Sequence, residues 1–165
     1  MSLVFLDTET TGLDPARHSV WEIAYAVDGG PILSSFVAHS IEGADPYALG
    51  VNGYLARFAG APLLGLHFEA NLRDALNGAT LVGANPAFDA AFLRARWGVT
   101  PWKYRLLDVE AYAMPALGLS EPKGLAYIAK ELGTESPDHT AAVDVLVLRA
   151  TFRALQRIYA AGRMK

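Results

Sequence analysis

Leu3-Val4-Phe5-Leu6-Asp7-Thr8-Glu9-Thr10-Thr11-Gly12-Leu13 is the stretch that decides the fold. Its first four residues are an unbroken apolar run of strand length, the pattern of a strand buried on both faces of a parallel sheet. Strand alternation then turns Asp7 and Glu9 to one side, flanking Thr8. Two like charges at the end of a buried strand cost stability unless a cation sits between them. A divalent ion meets that need, and hard oxygen ligands suit Mg²⁺ or Mn²⁺. Asp-x-Glu alone also describes a solvated turn after a strand, so its weight depends on carboxylates further along the chain.

Working outward, Val20 to Val27 sets Trp21, Ile23, Tyr25 and Val27 on one face and Glu22, Ala24 and Ala26 on the other, which predicts a strand. Asp28-Gly29-Gly30-Pro31 then connects it tightly to a second strand over Ile32 to Ala38, forming a hairpin. Glu22 reads as structural, because no ligand partner stands at close spacing. Residues 40–65 scatter Gly and Pro among short apolar pieces, which predicts short helices and loops. Leu66 to Leu76 has helical spacing and ends at Asn77-Gly78. Thr80 to Gly83 is a short buried strand, and a helix with Pro86 in its first turn runs to Trp97. Leu106 to Val109 is the last strand. Helices over 110–115, 122–132 and 140–161 complete the chain, the last capped by Asp138 or a neighbour. The order predicts an α/β fold with one mixed, mostly five-stranded sheet flanked by helices, as a single domain over 1–165.

Further acids stand where the first pair needs them. Asp89 opens a helix just after a strand end, four residues past Asn85, at the edge where open α/β sheets place their sites. An acid there also serves as a simple partner for the helix dipole. His139 and Asp144 lie at the start of the final helix, and Asp144 interrupts the apolar run Ala141-Ala142-Val143-Asp144-Val145-Leu146. Burying that carboxylate unpaired would be expensive, so a metal partner explains it best.

Asp7-x-Glu9, Asn85-x-x-Phe88-Asp89 and His139-x-x-x-x-Asp144 together resemble the three exonuclease motifs of the DnaQ-like, or DEDDh, 3′–5′ exonuclease family. The resemblance runs from Leu3 to about Leu155 and takes in Trp21-Glu22-Ile23-Ala24 and Leu49-Gly50-Val51-Asn52-Gly53. The chain departs from it at Ala84, where many relatives carry histidine, and at Pro86. Thr140 occupies the place of the tyrosine of a sister subtype, so the histidine subtype is implied. The resemblance implies a ribonuclease H-like fold and two Mg²⁺ or Mn²⁺ ions. Asp7 would bridge both ions, Glu9 and Asp144 would hold the first, and Asp89 would support the second. His139 would be the general base, imidazole being the side chain that takes up a proton near neutrality. Thr10 and Leu13 would meet the terminal nucleotide, with Asn85 and Phe88 on the substrate side. The implied reaction releases nucleoside 5′-monophosphates from the 3′ end of single-stranded DNA, in proofreading or repair.

Composition narrows the alternatives. The absence of cysteine excludes disulfides, thiolate metal sites and cysteine nucleophiles. A net charge of −3 argues against a protein that coats nucleic acid electrostatically, though not against one gripping a few phosphates through metal. No run reaches transmembrane length, so the cytoplasm is the default address and a membrane is not an expected partner. Arg94, Arg96, Lys103 and Arg105, interleaved with Trp97, Trp102 and Tyr104, form a segment of the kind that binds single strands. Arg149, Arg153 and Arg157 share one helix face, and Arg163 and Lys165 follow. Expected partners are single-stranded nucleic acid, DNA before RNA, and a polymerase or other replication protein. The chain ends soon after its last helix, which favours stand-alone action. The rival readings are an exoribonuclease that trims RNA and a catalytically silent nucleic-acid or polymerase-binding module.

Overall fold

The computed structural model describes residues 2–58 and 65–162. Arg163, Lys165 and the side chain of Leu66 lie outside the described residues. Five strands form one sheet in the order β3-β2-β1-β4-β5: β1 (Leu3–Thr10), β2 (Val20–Val27), β3 (Leu33–Phe36), β4 (Thr80–Gly83) and β5 (Leu107–Asp108). The β1–β2 and β2–β3 pairs are antiparallel, whereas β4 runs parallel to both β1 and β5. This is the mixed α/β sheet that the pattern predicts, hairpin included.

The central strand is longer than its apolar run. β1 continues through the acids to Thr10, because β2 keeps pairing with it as far as Glu9↔Glu22. The register then slips so that Thr10 pairs with Val20, leaving Trp21 as the extra residue of a bulge. Both faces of β1 are covered, and alternation divides its side chains between two cores. Phe5 joins Ala24, Ala26 and Val82 under helices α5 (Val109–Leu117), α6 (Leu125–Leu132) and α7 (Ala141–Gly162). Val4 and Leu6 join Ile23, Tyr25 and Leu81 on the opposite face, against α3 (Gly65–Leu76) and α4 (Pro86–Trp97).

The connecting region also resolves into structure. α1 (Pro46–Val51) is capped by Asp45, whose carboxylate accepts the amide of Tyr47 at 2.9 Å, with Pro46 in the first turn. α2 (Tyr54–Phe58) follows directly and packs on the bulge: Trp21 stacks on Phe36 with ring centroids 5.5 Å apart and meets the edge of Tyr54 at 5.1 Å. Several bounds shift in detail: the strand expected over 32–38 is Leu33–Phe36, and the helix expected over 122–132 starts at Leu125. The last strand shrinks to Leu107–Asp108, since Asp108 caps α5 by accepting the amide of Glu110. α5 also runs past Pro115 to Leu117. The arginine stripe of α7 is partly engaged, with Arg149 donating to the Gly30 carbonyl at 2.6 Å. Among the described residues, no helix is long and apolar enough to cross a membrane.

Candidate active site

Alternation along β1 sends Asp7 and Glu9 to the α7 side and Thr8 to the α4 side. On the α7 side, Asp144 comes from the first turn of α7 and meets the pair. Asp7, Glu9 and Asp144 each offer a carboxylate oxygen, and these oxygens lie within 4.8 Å of one another. On the other side of β1, Asp89 in the first turn of α4 accepts a hydrogen bond from the Thr8 hydroxyl at 2.7 Å. Asp89 thus reaches the site from the α4 side, and it is the carboxylate that presses most on Asp7. Thr8 is the residue that ties it to the sheet.

The placement of α4 depends on a tight turn. A Cβ on Gly83 would stand 3.0 Å from the Cβ of Pro86 and 3.1 Å from its Cα, so any larger residue would have to push the start of α4 away by a few tenths of an ångström. Asn85 takes up a left-handed conformation at φ 55, and its side chain is exposed and makes no capping bond. His139 is also left-handed, at φ 61, in the segment leading into α7. Next to it, the Asp138 amide donates to Asp144 at 3.0 Å, and Thr140 donates back to Asp138 through both amide and hydroxyl. The exposed imidazole of His139 is thus carried beside Asp144.

The electrostatics of this arrangement are one-sided. Burial pushes the Asp7 carboxyl well above the usual carboxylate range, and Asp89, Glu9, Asp144 and Glu22 add to it in that order. Burial, then Asp144 and Glu22, push Glu9 up to about 8. Asp89 rises to about 7 through burial, against the lowering effect of the Thr8 hydrogen bond. Asp144 is raised as well, chiefly by burial. Like charges at such range cannot all ionise without a compensating cation. The donor set, carboxylate oxygens on rigid elements, suits a hard divalent ion.

Sequence reading left out the cation that does stand here. Glu22 lies directly across from Glu9 in the β1–β2 ladder, a costly pairing of like charges. Arg57 of α2 relieves it, its Nη2 lying 2.5 Å from Glu22 Oε2. The other arm of the guanidinium donates to the Asn52 carbonyl at 3.1 Å and the His139 carbonyl at 3.2 Å. Glu22 also accepts the Ala141 amide at 3.3 Å, which holds the start of α7 against β2. Alternation along β2 was the available signal for Glu22. Nothing in the sequence points from Glu22 to a residue 35 positions away.

Beside the acids lies an open cleft of about 210 Å³ between the end of β1, α1 and α4. It gathers three of the four expected substrate-side residues: Thr10, Leu13 and Phe88. Leu13 is 75% exposed at its mouth, while the Phe88 ring is half-buried, 4.8 Å from that of Phe92. Asn85 is not among the lining residues. Asn52, buried beneath the cleft, donates to the Thr10 carbonyl at 2.9 Å and holds the strand end in place.

No family model matches this sequence, and no curated protein matches it. Solved structures do. A zinc-bound E. coli exonuclease I–single-stranded DNA complex superposes with a TM-score of 0.73 at 20% identity, over 97% of this chain and 42% of that one. Exonuclease I from Methylocaldum szegediense gives a TM-score of 0.70 at 20% identity, over 94% of this chain and 40% of that one. Brucella melitensis NrnC gives 0.61 at 22% identity, over 98% of this chain and 75% of that one. The chain spans less than half the length of the exonuclease I chains it matches. At these identities the likeness is one of fold, and that fold is the ribonuclease H-like one.

Proposed function

We propose that this chain is a metal-dependent 3′–5′ exonuclease of the DEDDh type, which hydrolyses single-stranded DNA from its 3′ end and releases nucleoside 5′-monophosphates. One observation carries the reading: Asp7, Glu9 and Asp144 bring carboxylate oxygens within 4.8 Å of one another, while the Arg57 cation beside them is paired with Glu22. The likeness in fold to exonuclease I, one of whose structures holds single-stranded DNA, supports it.

Asp7, Glu9 and Asp144 would hold a divalent ion, and Asp89 would face a second from the far side of β1. Two such ions, when bound, stabilise the attacking and leaving oxygens of an in-line displacement at phosphorus. The chain does the rest. The cleft takes the terminal nucleotide, with Leu13 at its mouth and the backbone around Thr10 at its floor. His139 takes the proton of the attacking water, and Asp144 and the Arg57 contact to its carbonyl hold it over the site. Arg57 pairs with Glu22 and offsets part of the negative charge that Glu22 adds to the acids.

The test uses 5′-labelled single strands of DNA and RNA with Mg²⁺ or Mn²⁺, and Asp7→Ala as control. A ladder shortening from the 3′ end, absent in the variant and in EDTA, is the expected result, with DNA the better substrate. Faster shortening of RNA would move the assignment to an exoribonuclease. No shortening of either strand would move it to a binding module.

A further inference from the structure

One face of the molecule is basic although the whole is acidic. Between Asp89 and Asp108 the sequence contains no acidic residue, yet it contains Arg94, Arg96, Lys103 and Arg105. Arg96 is engaged, donating to both oxygens of Glu69 at 2.7 Å and to the Ala38 carbonyl at 2.8 Å. Among the described residues, the other three side chains form no ion pair or hydrogen bond with an acid. Arg94 and Arg105 are exposed.

Arg94 lines a groove of about 240 Å³ between α4 and the segment 98–106, and Arg105 stands against the Tyr104 ring that forms part of its wall. The small side chains Ala87, Ala90 and Ala91 open one wall, Trp102 lines the groove, and Arg94 and Tyr104 stand along it. Tyr104 is 83% exposed, an unusual position for so large a ring, and the Arg105 guanidinium lies 5.1 Å from its centroid. Ala87 opens the groove at the N-terminal end of α4, the end that carries Asp89, although the two side chains leave the helix on opposite faces. Arg94 lies two turns further, about 10 Å along the helix. Exposed aromatic and guanidinium surface, beside cations without partners, matches a strand that presents base faces and phosphates together.

We propose that this groove is an accessory subsite for single-stranded nucleic acid, holding the part of the strand 5′ to the bond that is cut. Tyr104 stacks on a base, and Arg94 and Arg105 contact phosphates. The proposal rests on the exonuclease reading for its direction, from the acids outward, but binding in the groove needs no catalysis.

The test compares wild type with Arg94→Ala/Tyr104→Ala/Arg105→Ala, three exposed positions outside the acid site. Anisotropy in EDTA reads binding of labelled oligo-dT and oligo-U of about twelve nucleotides, within the span that such grooves cover. The variant should bind the oligonucleotides about tenfold more weakly, with a shallower salt dependence. In Mn²⁺ its KM for the longer strand should rise, while cleavage of a dinucleotide stays at the wild-type rate. Wild-type binding by the variant, equal losses on dinucleotide and longer strand, or no binding by wild type would overturn the subsite. If wild type binds through these residues but cuts nothing, the groove stands and the exonuclease reading falls. If wild type cuts and the variant is indistinguishable from it, the reading stands and the groove falls.

Discussion

Glu9 and Glu69 are equally buried, each 9% exposed, and the protein treats them in opposite ways. Burial raises Glu69 too, but hydrogen bonds from Arg96 and Trp97 outweigh it and hold its carboxyl below the ordinary value. Its oxygens accept both arms of Arg96 at 2.7 Å and the Trp97 indole at 2.8 Å. Glu9 is pushed up to about 8 by burial, Asp144 and Glu22, which outweigh the lowering pull of Arg57 and of a hydrogen bond from Asn52. The difference separates a carboxylate whose hydrogen bonds outweigh its burial from one whose acidic neighbours add to it. Burial alone does not distinguish the two; the sign of the neighbours does.

Substitutions can break that contrast. Asp7→Asn should lower cleavage by about a thousandfold or more, measured as the rate of 3′ shortening. The same change should raise the melting temperature of the metal-free protein, because it removes the charge most crowded by others. Arg96→Ala should act the other way. It strands Glu69 as an uncompensated buried charge, costing about 3 kcal/mol, or roughly 6–12 °C in melting temperature, with cleavage retained.

Acidity sharpens the contrast further. A carboxyl with a raised pKa favours the folded chain for as long as it keeps its proton. That contribution is complete below the ordinary carboxylate value and is lost as pH climbs through about 7 for Asp89 and about 8 for Glu9. The metal-free protein should therefore melt at progressively lower temperature as pH rises from 5 to 8 (roughly the window of these carboxyls). Millimolar Mg²⁺ or Mn²⁺ should recover that loss, most strongly at the upper end, where the ligands are ionised. Thermal melts with and without EDTA test this, and an unchanged melting curve in metal would count against the site. The smallest effect is expected of Arg57→Lys, which keeps a cation near Glu22 but loses the fork to the Asn52 and His139 carbonyls. Cleavage should slow by about fivefold, the worth of one hydrogen bond, with the melting temperature nearly unchanged.

What could be read from the sequence follows from how far apart the deciding residues lie. Period-two alternation in β1 and β2 and the turn at Asp28-Gly29-Gly30 are local patterns, and they led to the hairpin, the mixed sheet and the shared side of Asp7 and Glu9. The meeting of Asp144 with that pair was legible only through motif resemblance, because alternation says nothing about where a helix 135 residues later docks. The hydrogen bond by which Thr8 holds Asp89 from the α4 side was not anticipated, although alternation does put Thr8 on that side. α1 is one of the short helices expected over residues 40–65, but the floor that Asn52 provides and the reach of Arg57 were missed. Each depends on contacts between short irregular pieces, where periodicity has no length in which to show itself.

Among the described residues, three other than glycine hold a left-handed backbone: Asp28, Asn85 and His139. Two of them flank the acids. In directed evolution, this makes the two positions easy targets for any screen that rewards heat resistance alone. Glycine at either would relieve about 1 kcal/mol of strain. Libraries of this protein selected for thermal survival should thus accumulate glycine at Asn85 and His139, and under the proposed base role the His139 descendants would be folded, long-lived and slow.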